Sequence, residues 1–528
     1  MRPLVQEVPT LHSPELLAGQ LHDQPGVVLL RSAWFDSPQT RYSFVTARPF
    51  LTFRSFGSRC ELSSADGRQI QFGNPWHLLD SLMARYELLE ELDRPFPLGG
   101  CFGYWGYDLK NFVEPRLVRR AIDDLELPEC HVGFFDSLVV FDHRLEKSWI
   151  VSTGLQVDGS RNAALARRQL GCWQERLSNP TKVPVPCVRV TEHENFDARV
   201  PVPPLLGEIV AARSAGVRAE SSGLEGAKPQ EELKQPLEQN PQSLTSNLSR
   251  AAFIALVERA QRYIRAGDIY QVNLAQRLAA PCDLDGWELF QRLADVSPAP
   301  FAAYLDCGEF QIASSSPELF LRLSGAQIQT RPIKGTRPRS REATRDAQLA
   351  YELQTSPKEM AELVMITDLL RNDLGRVCQY GSVQVPELVR LERYPQVQHL
   401  VSTVEGRLRP DVTHFSAFAK CFPGGSVTGA PKIRAMEIIE ELEPVTRGPY
   451  TGCAGYLGFN RESQVSILIR TAVCRPGRAW FSTGAGIVAD SRPEAEYEET
   501  LAKAGGILSA LRLPAPSEIA RPAIESGG

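Results

Sequence analysis

The first 190 residues alternate apolar and polar positions over short stretches, the pattern of β-strands with one buried face. Two pairs of such stretches flank turn residues, ELSSADGRQIQF and SLVVFDH with SWIVSTG, and each pair predicts an antiparallel hairpin. Apolar residues at helical spacing predict helices near 76–92 and 160–178. We therefore expect antiparallel strands with flanking helices in this region.

From residue 247 onward, helical and strand patterns come in longer runs. RAAFIALVERAQRYIRAG predicts a helix that ends at Gly267, and IYQVNLAQRL (269–278) predicts a strand. The capping box SPKE (356–359) starts another helix, and the segments PKIRAMEIIEELEP and PEAEYEETLAKAGGILSALRL predict two more. Because strands and helices are segregated into runs, the predicted class is α+β with antiparallel sheets.

The stretch SSPELFLRLSGAQIQTRPIKGTR (315–337) predicts a hairpin that brings the carboxyl group of Glu318 toward the amine of Lys334. A nucleophilic lysine must lose its proton near neutral pH, which requires desolvation or nearby positive charge. Three arginines that could supply this charge are Arg331, Arg337 and Arg339. An exposed hairpin with a solvated lysine is the alternative that the pattern leaves open.

Residues 191–246 are rich in Pro, Gln, Glu and Ser and poor in aromatic residues. Such a segment buries too little apolar surface to order itself, so we interpret it as a disordered linker or insertion. The expected organisation is an N-terminal region (1–190), this linker, a catalytic domain (247–512) and a flexible tail (513–528).

Composition narrows the class of protein. The 528 residues are 43% hydrophobic and 23% charged, as in soluble globular proteins, and 58 basic against 63 acidic residues give a net charge of −5. We expect no general attraction to nucleic acid or anionic membranes, and no apolar run approaches the roughly 20 residues of a membrane helix. Eleven cysteines without a CxxC pair indicate reduced thiols in a cytoplasmic protein.

Two helices carry pairs of acids three residues apart, Glu359 with Glu362 and Glu496 with Glu499, and Lys503 follows on the face of the second pair. Each pair could point two carboxylates into one cleft, and Mg²⁺ prefers such oxygen ligands. The alternative is structural, because acids in a first helical turn interact favourably with the helix dipole and Glu359 fits a capping box.

Two glycine-rich segments could bind an anion. CFPGGSVTGAPK (421–432) precedes a helix, whose free N–H groups could face a ligand, although its spacing is not that of a P-loop. STGAGIV (482–488) is predicted to be a second such loop, which leaves a strand and offers Gly484 and Gly486. A tight structural turn explains the first segment equally well.

Isolated polar residues add two candidates. Arg470 lies among apolar residues in the strand-like SILIRTAVC and needs a carboxylate partner, either from the protein or from a ligand. His399 in VQHLVST is by itself more typical of a core histidine. No Gly-x-Cys-x-Gly or Gly-x-Ser-x-Gly motif is present, so hydrolysis of glutamine by a nucleophile of that type is not expected.

Seven motifs between about 267 and 505 occur in the order found in chorismate-utilising enzymes, and the chain resembles that family. They are SPELF, PIKGTR, DLLRNDLGRV, HLVSTVEG, FPGGSVTGAPKIRAMEIIEELEP, RGPYTGCAGYLGF and STGAGIVADS with EAEYEET. The first 190 residues resemble the family less densely. The resemblance implies an anthranilate synthase component I-like α+β fold of orthogonally packed antiparallel β-sheets flanked by helices, with intertwined N- and C-terminal portions.

The resemblance also implies a magnesium site. Mg²⁺ would be held by Glu362 and Glu499, with Glu359 and Glu496 close by or acting through water, and it would bind the ring carboxylate of chorismate. The other positions that the resemblance implies at the chorismate site are His399, Thr428, Tyr456, Arg470, Gly484, Gly486 and Lys503.

By the same resemblance, Glu318 is the general acid for the departing C4 hydroxyl and Lys334 is the nucleophile that adds at C2 before ammonia attacks C4. Family members with PIKGT make 4-amino-4-deoxychorismate for 4-aminobenzoate and folate synthesis, whereas anthranilate-forming members usually have alanine at this lysine. Isochorismate and salicylate synthases use a lysine as the base that activates water. A separate glutamine amidotransferase subunit is the expected ammonia source, and a silent scaffold that binds such a subunit is the non-enzymatic alternative.

A further pocket is implied where relatives hold tryptophan. The residues concerned are Ser32, Gln39, Thr40, Arg41, Tyr42, Pro300, Phe301 and Ala302. Arg31 replaces the glutamate of the corresponding LLESA motif in anthranilate synthases. This departure argues against feedback inhibition and leaves a structural tryptophan open.

Overall fold

The computed structural model describes residues 2–9, 12–32, 38–88, 94–178, 243–394 and 396–514. The expected linker falls outside the described residues as far as 242, and the expected tail does so from 515. Thr245–Ser246 forms a strand, so secondary structure begins before residue 247. Among the described residues, no helix is long and apolar enough to span a membrane.

The described chain forms strands along its whole length. In chain order they are β1 (Leu4–Val8), β2 (Val28–Arg31), β3 (Tyr42–Thr46), β4 (Leu51–Phe56), β5 (Arg59–Ser64), β6 (Gly67–Phe72), β7 (Gly100–Trp105), β8 (Cys130–Phe135), β9 (Ser137–Asp142), β10 (Lys147–Ser152), β11 (Thr245–Ser246), β12 (Gln271–Cys282), β13 (Phe301–Asp306), β14 (Gln311–Ser316), β15 (Leu319–Ser324), β16 (Gln327–Arg331), β17 (Ile333–Pro338), β18 (Gln384–Arg393), β19 (Val397–Arg407), β20 (Gly429–Ala430), β21 (Cys453–Gly458), β22 (Glu462–Ile467), β23 (Thr471–Arg475) and β24 (Gly477–Ile487).

Helices flank these strands. In chain order they are α1 (Pro14–Gly19), α2 (Pro75–Tyr86), α3 (Lys110–Val113), α4 (Ala163–Ser178), α5 (Arg250–Arg265), α6 (Gly286–Val296), α7 (Ala343–Gln354), α8 (Pro357–Gly375), α9 (His414–Cys421), α10 (Lys432–Leu442) and α11 (Pro493–Ala510). The helices predicted near 76–92 and 160–178 correspond to α2 and α4, with α2 ending earlier than predicted.

The described strands build two antiparallel sheets of twelve strands each, which confirms the α+β class. The first has the order β1-β10-β9-β3-β2-β13-β14-β23-β24-β12-β11, with β20 on β12. The second has the order β17-β19-β16-β15-β22-β21-β7-β8-β4-β5-β6, with β18 on β19. Strands from before residue 190 and after residue 243 share both sheets, and they join at β2–β13 and β7–β21.

The glycines of the segment 97–109 allow the close packing expected of them. Gly103 in β7 lies between β8 and β21, and a Cβ atom there would sit 2.2 Å from the His131 carbonyl oxygen. A Cβ atom on Gly106 would lie 2.8 Å from the Glu129 carbonyl oxygen. The close approach of this segment to β8 and to the residue before it therefore requires glycine.

An aromatic cluster joins the two halves beneath the second sheet. The Trp76 ring of α2 lies 5.3 Å from the Phe418 ring of α9, and Trp105 of β7 lies 5.2 Å from Phe418 on another side. All three side chains are buried. Burying an aromatic side chain contributes on the order of 2–3 kcal/mol, so this cluster binds α2 and α9 firmly to the sheet.

The hairpin β15–β16 forms as predicted, but Lys334 is not on it. Pro332 separates β16 from β17, and proline has no N–H group with which to continue a strand ladder. Lys334 instead lies on β17, which pairs with β19. β17 nevertheless continues β16 along β19 in the same register, and Leu319 pairs with Arg331, so the hairpin register brings Glu318 beside Ile333, next to Lys334.

Two further local predictions were wrong. Arg470 is not in a strand: the chain leaves the second sheet after β22 and enters the first at β23, and Arg470 turns between them with φ of 51°. Gly484 and Gly486 are not in a loop, because β24 continues through them to Ile487 and pairs them with Ala275 and Asn273.

Candidate active site

Glu318 stands directly before β15 and is buried, with 6% exposure. Its carboxyl group accepts hydrogen bonds from the Ser426 hydroxyl and the Ile333 N–H. Burial raises the pKa of Glu318, and the Ser426 bond and the charge of Lys334 offset this only in part. Glu318 therefore retains a proton to higher pH than an ordinary glutamate, as a general acid must.

Lys334 directly follows Ile333 and lies at a bulge in the β17–β19 pairing, between Lys334 and Thr336. Gly335 makes this bulge with φ of 64°, and a Cβ atom there would lie 2.7 Å from Leu353 Cδ1 of α7. The bulge therefore requires glycine and turns Lys334 out of the regular ladder. The Lys334 ammonium group is partly buried and acts electrostatically on three carboxyl groups, those of Glu318, Glu362 and Glu499.

His399 of β19 holds the same bulge. Its Nδ1 atom lies 2.9 Å from Thr336 Oγ1 and 3.3 Å from the Gly335 carbonyl oxygen. Burial, with a smaller contribution from the charge of Arg470, lowers the pKa of His399 to about 4, so the ring is neutral. Its Nε2 atom is buried and has no partner among the described residues. One nitrogen is thus structural, and the other is available to a ligand.

The acids of α8 have separate surroundings. Ser356 Oγ accepts from the Glu359 N–H at 3.4 Å, but the Ser356 N–H bonds the Leu353 carbonyl, so the reciprocal half of the capping box is absent. The Glu359 carboxylate instead pairs with Arg337 at 3.3 Å. Glu362 lies 3.9 Å from Lys358. Burial raises the pKa of Glu362, and Lys334 and Lys358 offset this only in part.

The acids of α11 are also divided. Glu496 is buried and bonded by the Ser491 hydroxyl, and burial raises its pKa. Glu499 lies 2.7 Å from Lys503. Although partial burial acts in the opposite direction, the Lys503 charge lowers the pKa of Glu499. Lys503 also donates to the Gly484 carbonyl at 2.8 Å, which ties α11 to β24.

These carboxylates fit a metal that takes two protein ligands. The described residues contain no group of three or more His, Cys, Asp or Glu side chains placed to hold a metal. Glu362 and Glu499 act on each other electrostatically across the gap between α8 and α11, whereas Glu359 and Glu496 are engaged by Arg337 and Ser491. Mg²⁺ commonly takes one or two carboxylates, with water and an anionic substrate completing its shell.

The glycine-rich segment 421–432 is held by hydrogen bonds from its own side chains to its own backbone. Lys432 is buried and bonds Asp373 at 2.5 Å and the carbonyls of Cys421 and Pro423 at 3.0 and 2.9 Å. The Thr428 hydroxyl donates to the Gly424 and Gly425 carbonyls at 3.0 and 3.2 Å. The segment therefore presents the Ser426 hydroxyl to Glu318, while the side chains of Thr428 and Lys432 bond the segment itself.

The glycine face of β24 is covered by side chains that the sequence patterns did not single out. A Cβ atom on Gly484 would lie 2.8 Å from the Tyr450 hydroxyl and 2.7 Å from Asn273 Oδ1, and one on Gly486 would lie 2.4 Å from Gln271 Nε2. The Oδ1 atom of Asn273 and the Oε1 atom of Gln271 are buried without a partner among the described residues. The sequence YQVNL could have indicated Gln271 and Asn273, because residues two apart on a strand point to the same face.

Arg470 lies close enough to His399 to act on it electrostatically, and Tyr456 has other neighbours. The Arg470 side chain makes no ion pair among the described residues, and burial lowers its pKa. The carboxylate expected for it is therefore not supplied by the described protein. Tyr456 stacks on Phe102 at 5.4 Å and lines a cavity with Tyr42, and its place in the chorismate site stays a prediction.

The residues predicted to hold tryptophan divide between two small neighbouring cavities that share Phe301. The first is lined by Ser32, Tyr42, Phe301 and Ala302, together with Arg31 and Tyr456. The second is lined by Thr40, Pro300 and Phe301, together with Pro317 and Ile333, which flank Glu318 and Lys334. Gln39 and Arg41 line neither cavity: Gln39 donates to Gln329 at 2.7 Å and Arg41 pairs with Asp142 at 2.6 Å.

Comparisons with known proteins show the family of this chain. Residues 207–509 match the family model for chorismate binding enzymes. The chain is 36% identical to anthranilate synthase component 1 of Acetivibrio thermocellus over 96% of this chain and 95% of the relative. It is also 36% identical to aminodeoxychorismate synthase component 1 of Escherichia coli over 94% and 96%. Anthranilate synthase component I from Streptococcus pneumoniae superposes with a TM-score of 0.69 at 28% identity, covering 91% of this chain and 94% of that one.

Proposed function

We propose that this chain, which belongs to the chorismate-binding enzyme family, acts as an aminodeoxychorismate synthase component I. It would convert chorismate and ammonia to 4-amino-4-deoxychorismate, a precursor of 4-aminobenzoate and folate. The relatives divide between this activity and anthranilate synthesis at similar identity, so they do not choose between the two. The observation that carries the proposal is the lysine at position 334 beside a buried carboxylic acid.

Glu318 and Lys334 divide the work of the substitution. Glu318, protonated in its buried position, gives its proton to the C4 hydroxyl, which leaves as water while the Lys334 amine adds at C2 and both ring double bonds shift. Ammonia then adds at C4, both double bonds shift back, and the lysine leaves C2 as the free amine. The lysine thus replaces one difficult displacement by two easier ones.

The remaining residues bind and orient the substrate. Glu362 and Glu499 would hold Mg²⁺, which, when bound, supplies positive charge to the ring carboxylate. Arg470, unpaired among the described side chains, would bind a carboxylate of the dianionic substrate, and His399 Nε2 would bond a polar group of the ring. Lys503 would keep Glu499 ionised until the metal enters.

Ammonia would come from a glutamine amidotransferase subunit. We expect the chain alone to use ammonium salts and not glutamine. Adding a purified amidotransferase subunit of the same organism should confer use of glutamine.

Anthranilate synthesis is the principal alternative, and a product assay separates the two. Purified protein is incubated with chorismate, Mg²⁺ and ammonium, and the products are resolved by chromatography. We expect 4-amino-4-deoxychorismate from the wild type, and anthranilate as the sole product would refute the proposal. Isochorismate or salicylate formed without ammonium would instead favour the water-activating branch of the family.

Lysine 334 is tested in the same assay. Lys334→Ala should lower 4-amino-4-deoxychorismate formation by at least about a hundredfold and shift residual turnover toward anthranilate. Lys147→Ala, at an exposed lysine paired with Glu7 in the first sheet, is the matched control and should retain wild-type rates.

A further inference from the structure

Arg447 lies outside the set of residues expected to touch chorismate, in the segment between α10 and β21. Its side chain is only 3% exposed and donates five hydrogen bonds, as many as a guanidinium group has N–H bonds. Nε and Nη2 bond the two Glu443 carboxylate oxygens at 2.8 and 2.6 Å, and Nη2 also bonds the Asn273 carbonyl at 2.8 Å. Nη1 bonds the Val427 carbonyl at 3.0 Å and Thr451 Oγ1 at 3.2 Å.

These acceptors belong to separate pieces of the chain, and those of Val427 and Asn273 border the cleft. Val427 follows Ser426, whose hydroxyl bonds Glu318. Asn273 is the β12 residue whose side-chain oxygen faces Gly484. The network thus joins the glycine-rich segment to the strand that covers the glycine face of β24.

Arg447 also fixes an aromatic ring at the same face. Its guanidinium group lies 5.8 Å from the centre of the Tyr450 ring and 4.7 Å from that of Tyr107. The Tyr450 hydroxyl makes no hydrogen bond within the described protein and sits 2.8 Å from the position of a Cβ atom on Gly484. Arg447 thus fixes the buried Tyr450 ring, while the Tyr450 hydroxyl beside Gly484 is left without a partner among the described residues. Such a hydroxyl is a preorganised contact for a ligand.

We infer that Arg447 is a positioning residue for chorismate: it holds the Tyr450 ring, β12 and the segment that carries Ser426 in one fixed arrangement at the cleft. The inference rests on the proposed function for the identity of the ligand. Lysine cannot replace this arginine, because an ammonium group has three donors and no planar fork. Its loss should therefore loosen the site even where the positive charge is kept.

The test is a double-mutant cycle with Arg447→Lys and Tyr450→Phe, read as KM for chorismate and kcat. Each single variant should raise KM by about tenfold, with a smaller fall in kcat, because both weaken binding more than chemistry. The double variant should be little worse than Arg447→Lys alone, since both changes remove the same contact. Multiplicative effects on KM would overturn the inference.

Stability is controlled with a matched substitution. Arg54→Lys alters another arginine paired with a buried carboxylate, Glu61, in the second sheet. It should lower Tm without changing KM. If Arg447→Lys lowers Tm and also leaves KM unchanged, Arg447 has only a structural role and the inference fails.

A gentler variant covers the case in which Arg447→Lys does not fold. Thr451→Ala removes one of the five acceptors and leaves the Glu443 pair intact, and it should raise KM by about threefold; an unchanged KM would count against the inference.

Failure of the proposed function is seen separately, as a different product or no turnover by the wild type. Calorimetric binding of chorismate then replaces KM in the same cycle.

Discussion

Two buried charged regions of the molecule differ in how completely their polar groups are paired. In the network of Arg447 and Glu443, every guanidinium N–H has an acceptor, and Lys432 is held in the same way by Asp373 and two carbonyls. In the neighbouring cleft, His399 Nε2 is unpaired among the described residues, and burial raises the pKa of Glu318. Because buried polar groups are normally paired, the paired region holds the fold and the walls of the cleft in place, and the unpaired one marks the place of a ligand.

The largest expected effect follows from removing the acid of the unpaired region. Glu318→Gln keeps the size of the side chain and the acceptor for Ile333 N–H but cannot donate a proton to a leaving hydroxyl. We expect the rate of chorismate amination to fall by about 10²–10⁴-fold, while Tm stays the same or rises because a neutral amide is easier to bury. Steady-state kinetics and thermal unfolding measure the two effects. A large fall in Tm would place Glu318 with the structural charges.

Breaking a pair in the other region should have the opposite outcome. Lys432→Met leaves the Asp373 carboxylate buried without its partner and should lower the free energy of unfolding by about 3–5 kcal/mol. Denaturant titration gives the value. The double variant Lys432→Met, Asp373→Leu, which removes both charges, should recover much of the loss; no recovery would mean that the bonds to the Cys421 and Pro423 carbonyls, and not the ion pair, dominate.

The difference between the regions also explains what the sequence could foretell. Hairpins, helix starts and the α+β class follow from local periodicity and capping. The helix start predicted at Ser356 and the hairpin β15–β16 are both present. The bulge beside Lys334 and the turn at Arg470 were not predicted, because neither a bulge nor a crossing between sheets appears as a period in the sequence. The resemblance supplied the four carboxylates, but only coordinates show that two of them are engaged by Arg337 and Ser491.

The acids of α8 and α11 allow paired and unpaired carboxylates to be compared within the predicted metal site. Glu362→Gln and Glu499→Gln should each weaken Mg²⁺ binding by about tenfold or more, measured by calorimetry with Mg²⁺ and chorismate. Glu359→Gln should have less effect, because that carboxylate is paired with Arg337. Equal losses for all three variants would show that Glu359 also contacts the metal.

The two cavities lined by residues predicted to hold tryptophan lead to a prediction about inhibition. Because Arg31 stands in the place of glutamate, tryptophan at about 1 mM should inhibit the wild type by less than about twofold. A dissociation constant of about 1 mM corresponds to a binding free energy of only about 4 kcal/mol. Rates of chorismate amination with and without tryptophan measure this. Strong inhibition would show that Arg31 does not prevent a regulatory site.

Asp136, at the turn between β8 and β9, tests whether an unpaired buried group can lack a ligand function. It is 3% exposed and its Oδ2 atom has no partner among the described residues, yet it lies in neither charged region. Burial raises the pKa of Asp136 to about 6 from an ordinary value of 3.8. The stability linked to its protonation is therefore present below about pH 4 and is lost as the pH rises through about 6.

Asp136→Asn should accordingly stabilise the protein by about 1–2 kcal/mol at pH 7 and by nothing at pH 4, with unchanged kinetics. Denaturant unfolding at both pH values measures the difference, and a loss of activity in the variant would extend the functional region to this turn.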